Sequence, residues 1–123
     1  MRKVIAMLGV LSSLAPAAWA HETGPGPHGG VKADAGTRYH AELVVTGTPD
    51  VVLFLYDAND KPVPAAGFRG TAILVIDGKT LRVPLEPSEG SRLLGKAPVA
   101  VPKGVKGAVQ LTAPDGTTAQ AKY

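Results

Sequence analysis

The stretch TAILVIDGKTLRVPLE, residues 71–86, decides the class of fold. Two runs rich in aliphatic and β-branched residues flank Asp77-Gly78, and an Asp-Gly pair suits the positive φ values of a tight hairpin turn. The sequence therefore predicts two antiparallel strands, over residues 71–77 and 79–86, joined by that turn. Because the chain contains no convincing amphipathic helix pattern, an all-β fold is expected.

Outward from this hairpin, short apolar segments separated by turn residues recur along the chain. Further strands are predicted over residues 38–45, 50–57, 92–94, 107–113 and 117–123. About seven short strands with regular turn signals favour an immunoglobulin-like antiparallel β-sandwich, and a small barrel is the alternative. The expected core draws on Leu43, Val45, Val52, Phe54, Ile73, Val75, Leu81, Val83, Val109 and Leu111.

The N-terminus has the three parts of a secretory signal in order. Arg2 and Lys3 supply positive charge, residues 4–14 form an apolar run, and Ala18 and Ala20 are small residues before a cleavage site. The run is shorter than the roughly 20 residues that a spanning helix needs. We therefore expect a signal peptide over residues 1–20, export to the periplasm, and no membrane span after its removal.

The remaining chain divides into two parts by composition. Residues 21–37 are rich in Gly and Pro and are expected to form a flexible N-terminal arm, because GPGPHGG, residues 24–30, suits neither a helix nor a central strand. Residues 38–123 are expected to form the single β-sandwich domain. Two of the 13 basic side chains belong to the predicted signal, so the mature chain would have 11 basic and 10 acidic side chains. Its basic residues form no continuous run. Nucleic acid is therefore not expected as a partner.

All three histidines, His21, His28 and His40, lie within twenty residues of one another. Cleavage after Ala20 would make His21 the mature N-terminus, where its amine and imidazole could bind one ion together. Strand alternation places His40 and Glu42 on the same side of the first predicted strand, so Glu42 could serve as a ligand or orient His40. The four residues are the candidate metal site.

The ligand chemistry restricts the metal. The chain has no Cys, and both methionines lie in the predicted signal. Imidazole, amine and carboxylate suit divalent ions, with Cu(II) favoured by the Irving–Williams order and Ni(II), Zn(II) or Co(II) as alternatives. We expect substitution of His40 to weaken binding more than substitution of His28, because a strand holds its ligand in place whereas an arm must be ordered.

Four short motifs follow one another between residues 28 and 63: His28-Gly29-Gly30, Tyr39-His40-Ala41-Glu42, Tyr56-Asp57 at the end of a hydrophobic strand, and Asp60-Lys61-Pro62-Val63. This arrangement resembles small bacterial periplasmic proteins and domains associated with heavy-metal efflux adaptors. It is similar, more distantly, to CopC-like copper-binding proteins, which also begin at a histidine and have an immunoglobulin-like fold. The chain departs from the latter in its Gly/Pro arm. The resemblance implies a metal-handling β-sandwich, not an enzyme, and a metal-efflux or metal-delivery protein as partner.

The leading interpretation is thus a periplasmic binding protein for a divalent transition metal, in homeostasis or resistance. A nonmetal protein-interaction module with incidental histidines is the alternative. A copper enzyme with an N-terminal histidine brace is disfavoured, because about 100 mature residues with three tyrosines and two phenylalanines leave little for an extended substrate face.

The signal motif makes a direct prediction about processing. Protein recovered from the periplasm of an expression host should have the mass of a chain that begins at His21, because small residues occupy the positions that signal peptidase reads. Intact-mass spectrometry checks this. A mature chain that begins elsewhere would remove the N-terminal amine from the candidate ligands.

Overall fold

The computed structural model describes residues 23–123. This part of the chain is all β and contains no helix, so none is long and apolar enough to cross a membrane. The strands are β1 Gly24–Pro25, β2 Val31–Ala35, β3 Tyr39–Val44, β4 Asp50–Asp57, β5 Arg69–Ile76, β6 Lys79–Pro87, β7 Arg92–Lys96, β8 Lys106–Thr112 and β9 Thr118–Lys122. The predicted signal peptide and His21 lie outside the described residues.

The strands form one antiparallel sheet in the order β1-β2-β3-β4-β7-β6-β5-β8-β9. Strand β6 joins its two halves: most of β6 pairs with β5, whereas Glu86 and Pro87 at its end pair with β7. The sheet curls so that β2 approaches β9. The Tyr123 hydroxyl, just after β9, donates a hydrogen bond of 2.7 Å to the Ala41 carbonyl across this approach. The hydrophobic core lies between the two halves.

The predicted hairpin at residues 71–86 is confirmed. Strands β5 and β6 pair from Gly70 with Leu85 to Ile76 with Lys79. Asp77 and Gly78 have φ values of 53° and 76°. Two consecutive positive φ values are those of a type I′ turn, whose twist matches that of the flanking strands.

Five of the ten residues predicted for the core are buried in the structure. Leu43, Val45, Val83, Val109 and Leu111 are buried. In β4, however, the fully buried residues are Val51, Leu53 and Leu55, and in β5 they are Ala72 and Leu74. The predictions for the other positions were wrong, because those side chains are partly or largely exposed: Val52, Phe54, Ile73, Val75 and Leu81.

The error has a physical cause in the composition of these strands. DVVLFLYD and TAILVI carry apolar residues at both odd and even positions, so alternation alone does not reveal which set faces the core. The choice depends on which side meets the other half of the sheet. That information comes from long-range packing.

The N-terminal arm also differs from the prediction. In place of a flexible segment over residues 21–37, the described part forms β1, a turn over residues 26–30, and β2. Strand β2 buries Ala33 and Ala35, which are 2% and 1% exposed. Two alanines give a weak hydrophobic signal, so this strand was missed. The seven predicted strands correspond to β3–β9, and the two N-terminal strands raise the number to nine.

The side of β5 that faces the core can be tested with neighbouring residues. Leu74→Ala should lower the free energy of unfolding by about 2–5 kcal/mol, because it leaves a cavity among fully buried side chains. Val75→Ala, at a position that is 48% exposed, should cost less than about 1 kcal/mol. Urea unfolding of both variants measures the difference. Equal losses would contradict the assigned faces of the strand.

Candidate functional site

The candidate site lies on the outer face of β2, β3 and β4. His40 and Glu42 point outward from β3, as predicted, while Ala41 and Leu43 between and beside them are buried in the core. Antiparallel pairing aligns these side chains with neighbours on both sides. The two resulting rows are Asp34–His40–Tyr56 and Lys32–Glu42–Phe54.

Glu42 is covered by the turn over residues 26–30 and is 0% exposed. Its Oε2 accepts hydrogen bonds from the backbone N–H groups of His28, at 2.8 Å, and Gly30, at 2.9 Å. Its Oε1 accepts the Tyr56 hydroxyl at 3.0 Å and lies 2.9 Å from His28 Nδ1. A side chain at Gly26 would overlap the carboxyl group, so the turn can close over Glu42 only with glycine there.

These contacts determine the charge state of Glu42. Burial raises the pKa of the carboxyl group, but the hydrogen bonds from His28, Gly30 and Tyr56 outweigh burial and hold the pKa below its usual value. Burial, together with the hydrogen bond and negative charge of Glu42, raises the pKa of the Tyr56 hydroxyl. Glu42 is therefore an ionised carboxylate whose four acceptor positions are filled by donors.

His28 is held on two sides. Its ring stacks on Phe54, with 3.6 Å between centroids and 3° between planes. Its Nδ1 lies 2.9 Å from Glu42 Oε1 and 3.1 Å from the Tyr56 hydroxyl. When Nδ1 carries the proton, the neutral ring has its lone pair on Nε2. No residue in the described range bonds Nε2, and the side chain is 44% exposed.

His40 has a different environment. Its Nδ1 lies 2.7 Å from Asp60 Oδ1, and its Nε2 lies 3.1 Å from Asp34 Oδ1. Asp60 also accepts a hydrogen bond of 2.9 Å from Lys32, and the bonds from Lys32 and His40 lower the pKa of its carboxyl group. Because the two carboxylates contact opposite edges of the ring, they do not converge with it on one point. His40 links β2, β3 and the turn after β4.

The structure thus brings together His28 and Glu42 but places His40 in a separate set of contacts. Across residues 23–123, no group of three or more His, Asp or Glu residues is arranged to hold a metal ion. Sequence reasoning missed Phe54 and Tyr56, which support His28. Alternation in β4 gave no signal for them, because both sides of that strand are apolar; in the structure they lie on the other side of the strand from the buried Leu53 and Leu55.

Comparison with known proteins adds no relative: no family model, curated protein or solved structure matches the chain.

The buried carboxylate generates a prediction about stability. Glu42→Gln should lower the free energy of unfolding at pH 7 by about 1–3 kcal/mol, because the amide presents a donor to groups that are themselves donors. The exposed Glu86→Gln is the matched control and should have little effect. Urea unfolding in chelator-treated buffer measures both.

The same carboxylate predicts a dependence on pH. The pKa of Glu42 is lower in the folded chain than its ordinary value of 4.5, so its stabilisation is present above that value and is lost as pH falls through the lowered pKa. Between roughly pH 5 and pH 3, wild type should therefore lose stability more steeply than Glu42→Gln. Parallel pH profiles for the two proteins would contradict the assigned role of Glu42.

Proposed function

We propose that the chain is a periplasmic binding protein for a divalent transition metal, with His28 as the ligand that the folded domain presents. The observation that carries the proposal is the hydrogen bond between His28 Nδ1 and the buried Glu42 carboxylate. A carboxylate on one ring nitrogen fixes the tautomer and raises the basicity of the other nitrogen, as is common for histidines that bind metals. Stacking on Phe54 restricts the ring further.

His21 is the proposed second ligand. If the signal is cleaved after Ala20, its amine and imidazole would supply two nitrogens to the same ion. His21 lies three positions before Gly24, where β1 begins. Three residues of extended chain reach roughly 10 Å, so the mature N-terminus would lie within about that distance of the start of β1.

In this proposal Glu42 is a positioning residue and His40 is not a primary ligand. The acceptor positions of Glu42 are occupied by donors from His28, Gly30 and Tyr56. Both ring nitrogens of His40 contact carboxylates. This ranking of the two histidines reverses the one expected from the sequence, which favoured His40 because a strand holds its ligand in place.

A nitrogen-rich site of this kind favours Cu(II), with Ni(II), Zn(II) or Co(II) as alternatives. We further propose that the curled sheet is a variant of the immunoglobulin-like sandwich. Its support is the packing of two antiparallel halves across one core. A metal-efflux or metal-delivery protein would be the partner in homeostasis or resistance.

The competing function is a nonmetal protein-interaction module. It is favoured by the contacts of the histidines themselves, since His40 joins two carboxylates and His28 helps to cover Glu42. In such a protein both histidines would serve stability alone.

Metal titration separates the two functions. Cu(II), Ni(II) and Zn(II) would be titrated by calorimetry into the processed wild type, His28→Ala and His40→Ala, at about pH 7.5 and 5.5. We expect His28→Ala to lose affinity at least about tenfold and His40→Ala to lose less than about threefold. Binding by wild type should weaken at the lower pH, because imidazole and amine must be deprotonated to coordinate.

Glu42→Gln provides a further comparison in the same titration. If Glu42 acts through His28, its substitution should weaken binding about 10–100-fold while circular dichroism shows a folded chain. Equally weak binding by all variants and wild type, without pH dependence, would favour the interaction module.

A further inference from the structure

The second half of the sheet consists of β6, β5, β8 and β9, and its outer face is rich in basic side chains. Strand alternation and the burial pattern define the residues that point away from the core. Four of them are basic and exposed: Arg69, Arg82, Lys106 and Lys122. We call this surface the basic face.

None of these four cations forms an ion pair with another residue in the range 23–123. The ion pairs of lysine and arginine in the described chain involve Lys32, Arg38, Arg92 and Lys96, and none of these belongs to the basic face. Its other outward residues are Thr, Gln, Pro and aliphatic residues. The outward carboxylate of these strands is Glu86, at the end of β6, one position past the Gly70–Leu85 pair and on the side of Arg69.

The register places three of the four cations, Arg82, Lys106 and Lys122, around an aliphatic centre, whereas Arg69 lies beside Thr112 at the other end of β5. One row crosses all four strands, and the next row adds Val75, which is 48% exposed. The rows are Lys122–Ala108–Ile73–Arg82 and Lys106–Val75–Thr80. Beyond them, Gln110, Thr112, Thr118 and Gln120 line a shallow depression of hydroxyl and amide groups.

We propose that the basic face docks on the surface of an anionic phospholipid bilayer. Four cations that form no ion pair within residues 23–123 lie on adjacent strands, which are about 4.8 Å apart. They are thus spread over a sheet surface and can engage several lipid phosphates at once. The exposed Val75 and its neighbour Ile73 supply apolar contact at the level of the headgroups. Hydroxyl and amide groups beside them can hydrogen-bond phosphate or glycerol oxygens.

The alternative partner for a basic surface is an acidic protein segment. The exposed aliphatic side chains within the basic face favour the bilayer, because adsorption combines burial of apolar area with attraction to anionic lipid. This docking involves no residue of the proposed metal site. A negative result for one proposal would therefore leave the other unaffected.

Vesicle binding tests the proposal with charge-matched variants. The probes are vesicles of phosphatidylglycerol and phosphatidylcholine, or of phosphatidylcholine alone, and binding is measured by co-sedimentation at low and physiological salt. The test variant is Arg82→Glu with Lys106→Glu. The control is Lys61→Glu with Lys103→Glu, which changes the net charge equally at exposed positions outside the basic face. All proteins carry the same N-terminus, verified by mass, so any contribution of residues 1–22 cancels.

We expect wild type to bind anionic vesicles in a salt-dependent manner and to bind neutral vesicles much more weakly. The test variant should lose at least about tenfold in partitioning, and the control less than about threefold. Val75→Asp should also weaken binding. Thermal melts would verify that each variant is folded.

Three outcomes would overturn the proposal. Equal losses in the test and control variants would show attraction by net charge alone. Equal binding to neutral vesicles would remove the role of the cations. Failure of wild type to bind anionic vesicles would exclude the bilayer as the partner. In that case, retention of wild type but not of the test variant on immobilised polyglutamate would indicate an acidic protein instead.

Discussion

An ionised carboxylate buried within the protein is the constraint on which the N-terminal half of this structure depends. Excluding a carboxylate from water is costly unless donors replace the lost hydration. Glu42 is 0% exposed, and two of its four donors are backbone N–H groups of a turn that lies twelve to fourteen residues earlier in the chain. Closure of the turn over Glu42 is favourable because its backbone N–H groups supply hydrogen bonds that replace the lost hydration of the carboxylate. His28 takes its orientation from that closure.

This dependence explains why a segment with little hydrophobic content is ordered. The described residues before β3 bury few side chains apart from Ala33 and Ala35, so apolar burial alone gives them limited stability. Hydrogen bonds to a charged group are stronger than those between neutral groups, and the Glu42 contacts supply that additional stabilisation. Stacking of His28 on Phe54 joins the same turn to β4.

The sequence predicted what local pattern determines and failed where long-range packing decides. The Asp77-Gly78 turn, the strands β3–β9 and the shared side of His40 and Glu42 follow from turn chemistry and alternation, and the structure confirms them. The core side of β4 and β5 did not follow, because both of their sides are apolar. The partner of Glu42 also differed: alternation suggested His40, two residues away, whereas the turn brings His28 to it from fourteen residues away. Sequence spacing contains no information about that contact.

The two outer faces of the sheet organise charge in different ways. Around His40, acidic and basic side chains alternate across β2, β3 and the turn at Asp60, so most charges there have a partner. On the basic face the four cations form no ion pair within residues 23–123, and like charges repel where they approach within a Debye length of about 8 Å. Such an arrangement does not stabilise the fold, and docking on an anionic bilayer is the explanation that we propose for it. Because the two faces lie on different sides of the core, a chain docked through the basic face would leave His28 directed away from the bilayer. Metal exchange with a partner in solution and attachment to a surface would then use separate parts of one small domain.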